Sequence, residues 1–111
     1  MSDGGDPGND GAIRERPTTR SKAKPEPKEP EKYWVILHND DYTTMDFVVE
    51  VLMKIFHKSI LEAARIMMHV HKNGRGFVGT YTYDIAGTKA NQVRSMARSR
   101  GFPLKCSVEK A

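Results

Sequence analysis

The chain has 111 residues, of which 38% are hydrophobic and 29% are charged, and its formal net charge is +4 at pH 7. This length holds one domain, and a single cysteine rules out both an internal disulfide and a cysteine-based metal site. Because neither a signal-peptide pattern nor an apolar run of membrane length is present, we expect a soluble, cytoplasmic protein that does not bind membranes.

Residues 1–32 differ in composition from the rest of the chain. They are rich in glycine, proline and charged residues, and Ile13 is their only Ile, Leu or Val. Such a segment cannot bury enough apolar surface to offset its conformational entropy. We predict a flexible N-terminal arm over residues 1–32, either a dispensable tail or a functional extension, and a folded domain over residues 33–111 that carries the whole net charge.

The folded domain begins with an aromatic and β-branched run at residues 33–37, which predicts a buried strand. An Asn-Asp-Asp loop follows at residues 39–41. Thr43 and Asp46 then form a start that resembles a capping box, which predicts a helix. The apolar face of this helix is expected to consist of Met45, Val48, Val49, Leu52, Ile55 and Phe56.

A second helix is predicted over residues 59–72. Ser59 is its expected N-cap, with Glu62 three residues later, and Gly74 marks its end. The alternating pattern of residues 76–83 then predicts a second strand.

The last elements are a third helix and a third strand. Asp84 is the expected cap of this helix and Gly101 its stop, and its apolar side is expected to consist of Ile85, Val93, Met96 and Ala97. Leu104, Cys106 and Val108 alternate with polar residues, which is typical of an antiparallel or edge strand. The order βααβαβ predicts an α+β domain with three strands and three helices.

Two histidines of the second helix differ in their predicted surroundings. At 100° per residue, His71 lies on the apolar arc near Met67, whereas His69 lies on the polar side. The two side chains therefore cannot chelate one metal ion, and we expect no metal site. A lone histidine on an apolar face is either a hydrogen-bonded core residue or a functional group.

The acidic loop favours the functional interpretation of His71. If the first two helices pack as a hairpin, Asn39, Asp40 and Met45 approach Val70 and His71. One Asp at this position is explained by the favourable effect of negative charge near a helix N-terminus and by the preference of Asp for turns. A second adjacent carboxylate is repelled by the first unless a cation binds.

Two functions can use such a cluster of oxygen and nitrogen acceptors. Acid–base catalysis would also need a nucleophile, a metal site or a phosphate-binding loop, none of which the sequence contains, so we expect neither an enzyme nor a cofactor. Binding of a primary ammonium group fits better, because Asn, Asp and neutral His offer acceptors for its three donors.

Four stretches of the chain resemble the ClpS family of adaptor proteins: HNDDYTTMDFVVEVL, MMHVHKNG, YTYDIAGTK and GFPLKCSVEKA. They occur in the family's order within residues 33–111. The resemblance implies a compact domain of three antiparallel strands covered by helices. It also implies a monomeric adaptor that delivers N-degron substrate proteins to a Clp-type AAA+ unfoldase similar to ClpA.

The resemblance assigns roles to the polar loop. Asn39, Asp40 and His71 would hydrogen-bond the free α-amino group of a substrate, with Asp41 and Thr43 fixing the loop and the first peptide unit. An internal residue would leave these acceptors unpaired, at about 1–3 kcal/mol for each buried group.

The resemblance also assigns a side-chain pocket and a docking surface. Asp84 and Lys89 would contact the unfoldase, and the arm, with a span of about 30 Å, would reach the unfoldase pore. The pocket would accept Leu, Phe, Tyr or Trp as the first residue and reject β-branched residues, and it would be lined by Met45, Val48, Met67, Val70 and Leu104.

Two positions depart from the family's pattern. Thr44 stands where proline is usual, which is expected to loosen the first turn of the helix. Gly87 stands where an acidic residue is more common, at a cost in helix propensity of about 0.8–1.0 kcal/mol relative to Ala. We therefore expect the docking of this chain to its unfoldase to differ from that of other family members.

A small basic domain that binds RNA or a ribosomal component is the alternative function. It is favoured by the basic residues Arg94, Arg98, Arg100 and Lys105. Salt dependence discriminates the two, because a nucleic-acid complex weakens steeply between 50 and 200 mM salt. The adaptor instead predicts no nucleic-acid partner.

Overall fold

A computed structural model describes residues 29–111 of the chain, so the predicted arm lies almost entirely outside the described residues. The elements are β1 (Lys32–His38), α1 (Met45–Lys54), α2 (Ile60–Asn73), β2 (Arg75–Thr82), α3 (Tyr83–Arg100) and β3 (Lys105–Lys110). The predicted order βααβαβ and the α+β class are confirmed.

The three strands form one antiparallel sheet in the order β2-β1-β3. The central strand β1 is the apolar run that opens the domain, and Val35, Ile36 and Leu37 are fully buried in it. β-branched and large apolar side chains are favoured in such a position because both faces of the strand are covered. α3 packs on all three strands, while α1 and α2 pack against each other as the predicted hairpin.

The buried face of α1 agrees with the prediction at Val48 and Leu52 but differs from it elsewhere. Phe47 and Val51 are buried, although neither was expected to be, and Met45 is 42% exposed. The inward arc is centred between residues 47 and 52, which turns Met45 toward α2 and solvent. No helix among the described residues has the length and apolarity needed to cross a bilayer.

The N-cap of α1 is Thr44 and not Thr43. The Thr44 hydroxyl accepts a hydrogen bond from the Phe47 N–H at 3.1 Å. A proline cannot accept this bond, so Thr44 holds the first turn, contrary to the predicted loosening. The prediction for α2 is confirmed, because the Ser59 hydroxyl accepts from the Glu62 N–H at 3.2 Å.

The N-cap of α3 lies two residues before the predicted one. Thr82 is the N-cap residue, and Asp84 lies within the first turn, where its charge favours the helix N-terminus. Ile85 is 48% exposed instead of buried, and Gly101 ends the helix in the left-handed conformation, as predicted. The buried residues of α3 are Ala86, Ala90, Val93 and Ala97.

A β-bulge explains why β2 does not alternate regularly. Val35 pairs with Gly79 while the next residue, Ile36, pairs with Phe77, so Val78 is an extra residue in β2. Val78 is consequently buried and Phe77 is 41% exposed on the other face.

Candidate functional site

A cavity of about 440 Å³ lies between the loop after β1, the start of α1 and the end of α2. Its volume is within the range of small-molecule sites. It brings together nine of the ten residues predicted for substrate binding, and the tenth, Leu104, does not line it. The lining residues are Asn39, Asp40, Asp41, Tyr42, Thr43, Thr44, Met45, Val48, Met67, Val70 and His71.

Asp40 organises the loop at the mouth of this cavity. Its Oδ1 atom accepts hydrogen bonds from the Tyr42 N–H at 2.8 Å and the Thr43 N–H at 2.7 Å. Its Oδ2 atom accepts from the Thr43 hydroxyl at 2.7 Å. Such an Asx turn fixes the backbone of three consecutive residues. The sequence-based assignment gave the loop-fixing role to Asp41 and Thr43, so the part of Asp40 in it is new.

Two opposing effects act on the pKa of the Asp40 carboxyl group. Partial burial raises it, but the hydrogen bonds from Thr43 and Tyr42 together lower it more, so the pKa lies below its ordinary value. Asp40 is therefore ionised at neutral pH, and the loop holds a fixed negative charge at the cavity mouth.

The loop is also tied to the end of α2. The Asn39 N–H donates to the Gly74 carbonyl at 2.9 Å, and the Gly74 N–H donates to the Val70 carbonyl at 2.9 Å. Gly74 has φ +90°, a conformation that few other residues adopt, which allows the chain to turn back at this point. These bonds hold the amide-bearing loop and the last turn of α2 in one relative position.

His71 lies at the exposed edge of α2 and not in its apolar arc. The fully buried positions of this helix are Ala63 and Val70, and His71 is exposed while still lining the cavity. The buried side of α2 is centred nearer Val70 than predicted. His71 is therefore not a hydrogen-bonded residue of the core. The imidazole is thus available to a ligand at the cavity mouth.

The floor of the cavity is apolar. Val48 and Val70 are 7% and 2% exposed, and Met67 is half-buried against the core. Met45 stands at the first position of α1 and is 42% exposed, so it forms part of the rim. Leu104 directly precedes β3, is 5% exposed within the main core and does not line the cavity.

The two predicted docking residues lie away from the cavity. Asp84 is exposed in the first turn of α3. The Lys89 ammonium donates to the Ile55 carbonyl at 2.8 Å and lies 5.6 and 5.5 Å from the ring centres of Phe56 and Tyr81. Lys89 therefore joins α3 to the end of α1, a contact that sequence spacing did not predict.

Tyr42 and Thr44 line the cavity but were not predicted as site residues. Thr44 does so as the helix cap, which its position just before the apolar periodicity could have indicated. Tyr42 is 77% exposed, and no periodicity signals a role for an aromatic residue in a loop.

The basic residues that favoured RNA binding are partly used within the protein. The Arg94 guanidinium donates to the Cys106 carbonyl at 2.8 Å and also to Asn91. Arg100 pairs with Glu50 at 2.6 Å, and hydrogen bonds from Arg100 and Lys54 lower the pKa of Glu50 to about 2. Within residues 29–111 no group of three His, Cys, Asp or Glu side chains could hold a metal ion.

Comparison with known proteins places this geometry in context. The family model described as "ATP-dependent Clp protease adaptor protein ClpS" matches residues 28–107. A ClpS adapter of Syntrophus aciditrophicus is 60% identical over 81 residues, which cover 73% of this chain and 76% of that protein. A ClpS adapter of Maricaulis maris is 51% identical over 102 residues, which cover 92% and 94%.

A solved structure is also similar to this chain. It is Agrobacterium tumefaciens ClpS2 bound to L-phenylalaninamide, with a TM-score of 0.73 and 38% sequence identity. The match covers 75% of this chain and 100% of that one.

Proposed function

This chain belongs to the ClpS family of Clp protease adaptors, which are not enzymes, and we propose that its cavity binds the N-terminal residue of substrate proteins. The preferred first residues are Leu, Phe, Tyr and Trp. The adaptor, a cytoplasmic monomer, delivers these proteins to a Clp AAA+ unfoldase similar to ClpA.

The observation that carries the proposal is a single cavity with a polar, negatively charged mouth and an apolar floor. The ligand of the related ClpS2 structure, L-phenylalaninamide, combines an α-amino group with a benzyl side chain. A free amine at the mouth and a large apolar side chain on the floor would match the two parts of the cavity.

Asn39, Asp40 and His71 supply the acceptors for the α-amino group. An ammonium group has three donors, and the carboxylate of Asp40 adds charge to one of the bonds. Although the Asp40 oxygens already accept three hydrogen bonds, Oδ2 accepts only one of them and has capacity for a further donor. An internal amide offers neither the charge nor the donors.

Val48, Met67 and Val70 supply the surface for the first side chain. Burial of a Leu or Phe side chain contributes about 1.5–3 kcal/mol.

Affinity for the first residue is tested by fluorescence anisotropy with peptides that differ only at that position. Peptides beginning with Leu, Phe, Tyr or Trp should bind at least about tenfold more tightly than those beginning with Gly or Asp, and a flat series would refute the proposal.

Met45 is the wall that excludes β-branched first residues. A second substituent at Cβ cannot rotate away from a rim side chain, so Val and Ile clash where Leu does not. We predict that Met45→Ala raises the affinity for Val- and Ile-starting peptides about 5- to 10-fold. Met53→Ala is the matched control, because Met53 is 38% exposed on the same helix but does not line the cavity. An unchanged order of preference in Met45→Ala would contradict the steric explanation.

Docking to the unfoldase is proposed to involve Asp84 and Lys89, and Gly87 lies between them on α3. A Cβ atom added at Gly87 would meet no atom within 4 Å, so this glycine leaves open space on the proposed docking surface. Because Gly87 replaces the acidic residue that is more common in the family, we expect it to change the affinity for the unfoldase.

Lys89 has a structural role that must be separated from docking. We predict that Lys89→Ala lowers the free energy of unfolding by about 1–2 kcal/mol, because the Ile55 carbonyl loses its donor and two aromatic rings lose a cation. Asp84→Ala is expected to change it by less than about 1 kcal/mol. Urea denaturation measures both, and a wild-type midpoint for Lys89→Ala would show that the contact contributes no stability.

Residues 1–32 are proposed to act as an arm that enters the unfoldase pore, next to a binding domain of residues 33–111. We predict that deletion of residues 1–25 slows degradation of a Phe-starting reporter protein while peptide affinity stays the same. A variant in which a Gly/Ser segment of equal length replaces residues 1–25 shows whether the length of the arm or its sequence matters for degradation. Unchanged degradation by the deletion variant would show that the arm is dispensable.

A further inference from the structure

Tyr42 is a largely exposed aromatic side chain among the residues that line the cavity. It is 77% exposed although it lines the cavity. Within residues 29–111 its hydroxyl group makes no hydrogen bond and its ring forms no aromatic pair. Tyrosine is enriched at binding surfaces, because its ring offers an apolar face and its hydroxyl group a polar end.

The backbone that carries this ring is fixed. The Tyr42 N–H and the following Thr43 N–H both donate to Oδ1 of Asp40, at 2.8 and 2.7 Å. A ring on a fixed backbone loses little conformational entropy when a ligand packs against it. This makes Tyr42 a preorganised contact, in contrast to an aromatic residue on a mobile loop.

The position of the ring relative to the cavity limits what it can contact. In the proposed complex the first side chain of the substrate points to the floor formed by Val48 and Val70. The next Cα atom lies about 3.8 Å further along the chain, and successive side chains of an extended chain point to opposite sides. The second side chain therefore points out of the cavity, where only a group that rises from the rim can touch it.

We propose that Tyr42 contacts the second residue of the substrate and favours arginine and aromatic side chains there. This proposal rests on the proposed function of the cavity. A guanidinium group or an aromatic ring packs on the tyrosine ring, and the exposed carboxylate of Asp41 lies next in the chain to attract the guanidinium. Glycine at the second position makes no such contact.

The test uses peptides that begin with Phe and carry Arg, Trp, Ala or Gly as the second residue. With the full-length protein, anisotropy should show that Arg and Trp bind about 3- to 10-fold more tightly than Gly. Tyr42→Ala should reduce this ratio to less than about twofold. Tyr42→Phe keeps the ring and should keep the ratio.

Two results would overturn the assignment. One is a wild-type protein that does not distinguish Arg and Trp from Gly at the second position. The other is a Tyr42→Ala variant that retains the full ratio. Failure of the proposed function would be recognised separately with one more peptide, in which Gly stands at both the first and the second position, because this peptide would then bind as tightly as the Phe-starting peptide with Gly at the second position.

Discussion

Acetylation of the α-amino group is expected to weaken binding of a Phe-starting peptide at least about 100-fold. The acetylated nitrogen has no charge and one N–H, so acceptors of Asn39, Asp40 and His71 are left unpaired. Each acceptor that the bound peptide covers without pairing it costs about 1–3 kcal/mol, so two of them at the middle of this range cost about 4 kcal/mol, which exceeds the roughly 2.8 kcal/mol of a 100-fold loss. Fluorescence anisotropy at pH 7, with a dye at the far end of the peptide, measures the loss.

Acetylation also changes the net charge of the peptide, which requires a control. A peptide with a free N-terminus and an acetylated lysine near its C-terminus loses the same charge and should bind normally. His71→Ala should weaken all free-amine peptides by a similar factor and leave their order of preference unchanged. Equal loss with the lysine-acetylated peptide would show that the cavity senses charge and not the chain terminus.

The same peptides separate the adaptor from an RNA-binding domain. A protein that contacts six to ten phosphates loses affinity by about 10³- to 10⁵-fold between 50 and 200 mM salt. An ammonium group held by three acceptors within a cavity is screened much less. We therefore expect a modest salt dependence together with a large effect of acetylation.

The polar part of the site could be predicted from the sequence because it depends on chain order and helical spacing. Asn39 and Asp40 directly follow the first strand, and Met67, Val70 and His71 share one side of a helix. A helical hairpin then has to bring the loop and the helix end together, which the structure shows. The inward or outward position of His71 could not be predicted, because it depends on how far α2 is rotated against the sheet.

Other features depend on contacts that no local pattern signals. Leu104 was correctly expected to point inward, but the interior at that point is the main core. Lys89 contacts the Ile55 carbonyl, a residue 34 positions away. The extra residue Val78 reverses the alternation of β2, and a bulge of this kind leaves the residue types of a strand unchanged. Each of these features is set by tertiary packing.

Replacement of Asp40 is expected to have the second large effect. Asp40→Ala removes a proposed acceptor of the α-amino group and all three hydrogen bonds that fix the loop. We predict that affinity for a Phe-starting peptide falls about 100-fold or more. Hydrogen exchange of the Tyr42 and Thr43 amides should become faster in the same variant, since both donate to Asp40.

Asp40→Asn separates the structural role of this residue from its charge. The asparagine oxygen can accept from the Tyr42 and Thr43 amides, and its amide group can donate to the Thr43 hydroxyl. The loop should therefore keep slow amide exchange, while the loss of charge weakens peptide binding about tenfold. Equal affinity for Asp40→Ala and Asp40→Asn would mean that the loop bonds do not contribute to recognition.

The pH dependence of wild-type binding gives an independent check on Asp40. The pKa of its carboxyl group is lowered in the folded protein, so the stabilisation of the loop is fully present above the ordinary value of the group. It is lost only as the pH falls through the lowered pKa. Binding of a Phe-starting peptide should thus show an acidic limb below the ordinary pKa of aspartate, and Asp40→Asn should lack that limb because an amide does not titrate. If the affinity of Asp40→Asn also falls at acidic pH, the titrating group is not Asp40. The charge that holds the substrate amine would then not come from Asp40.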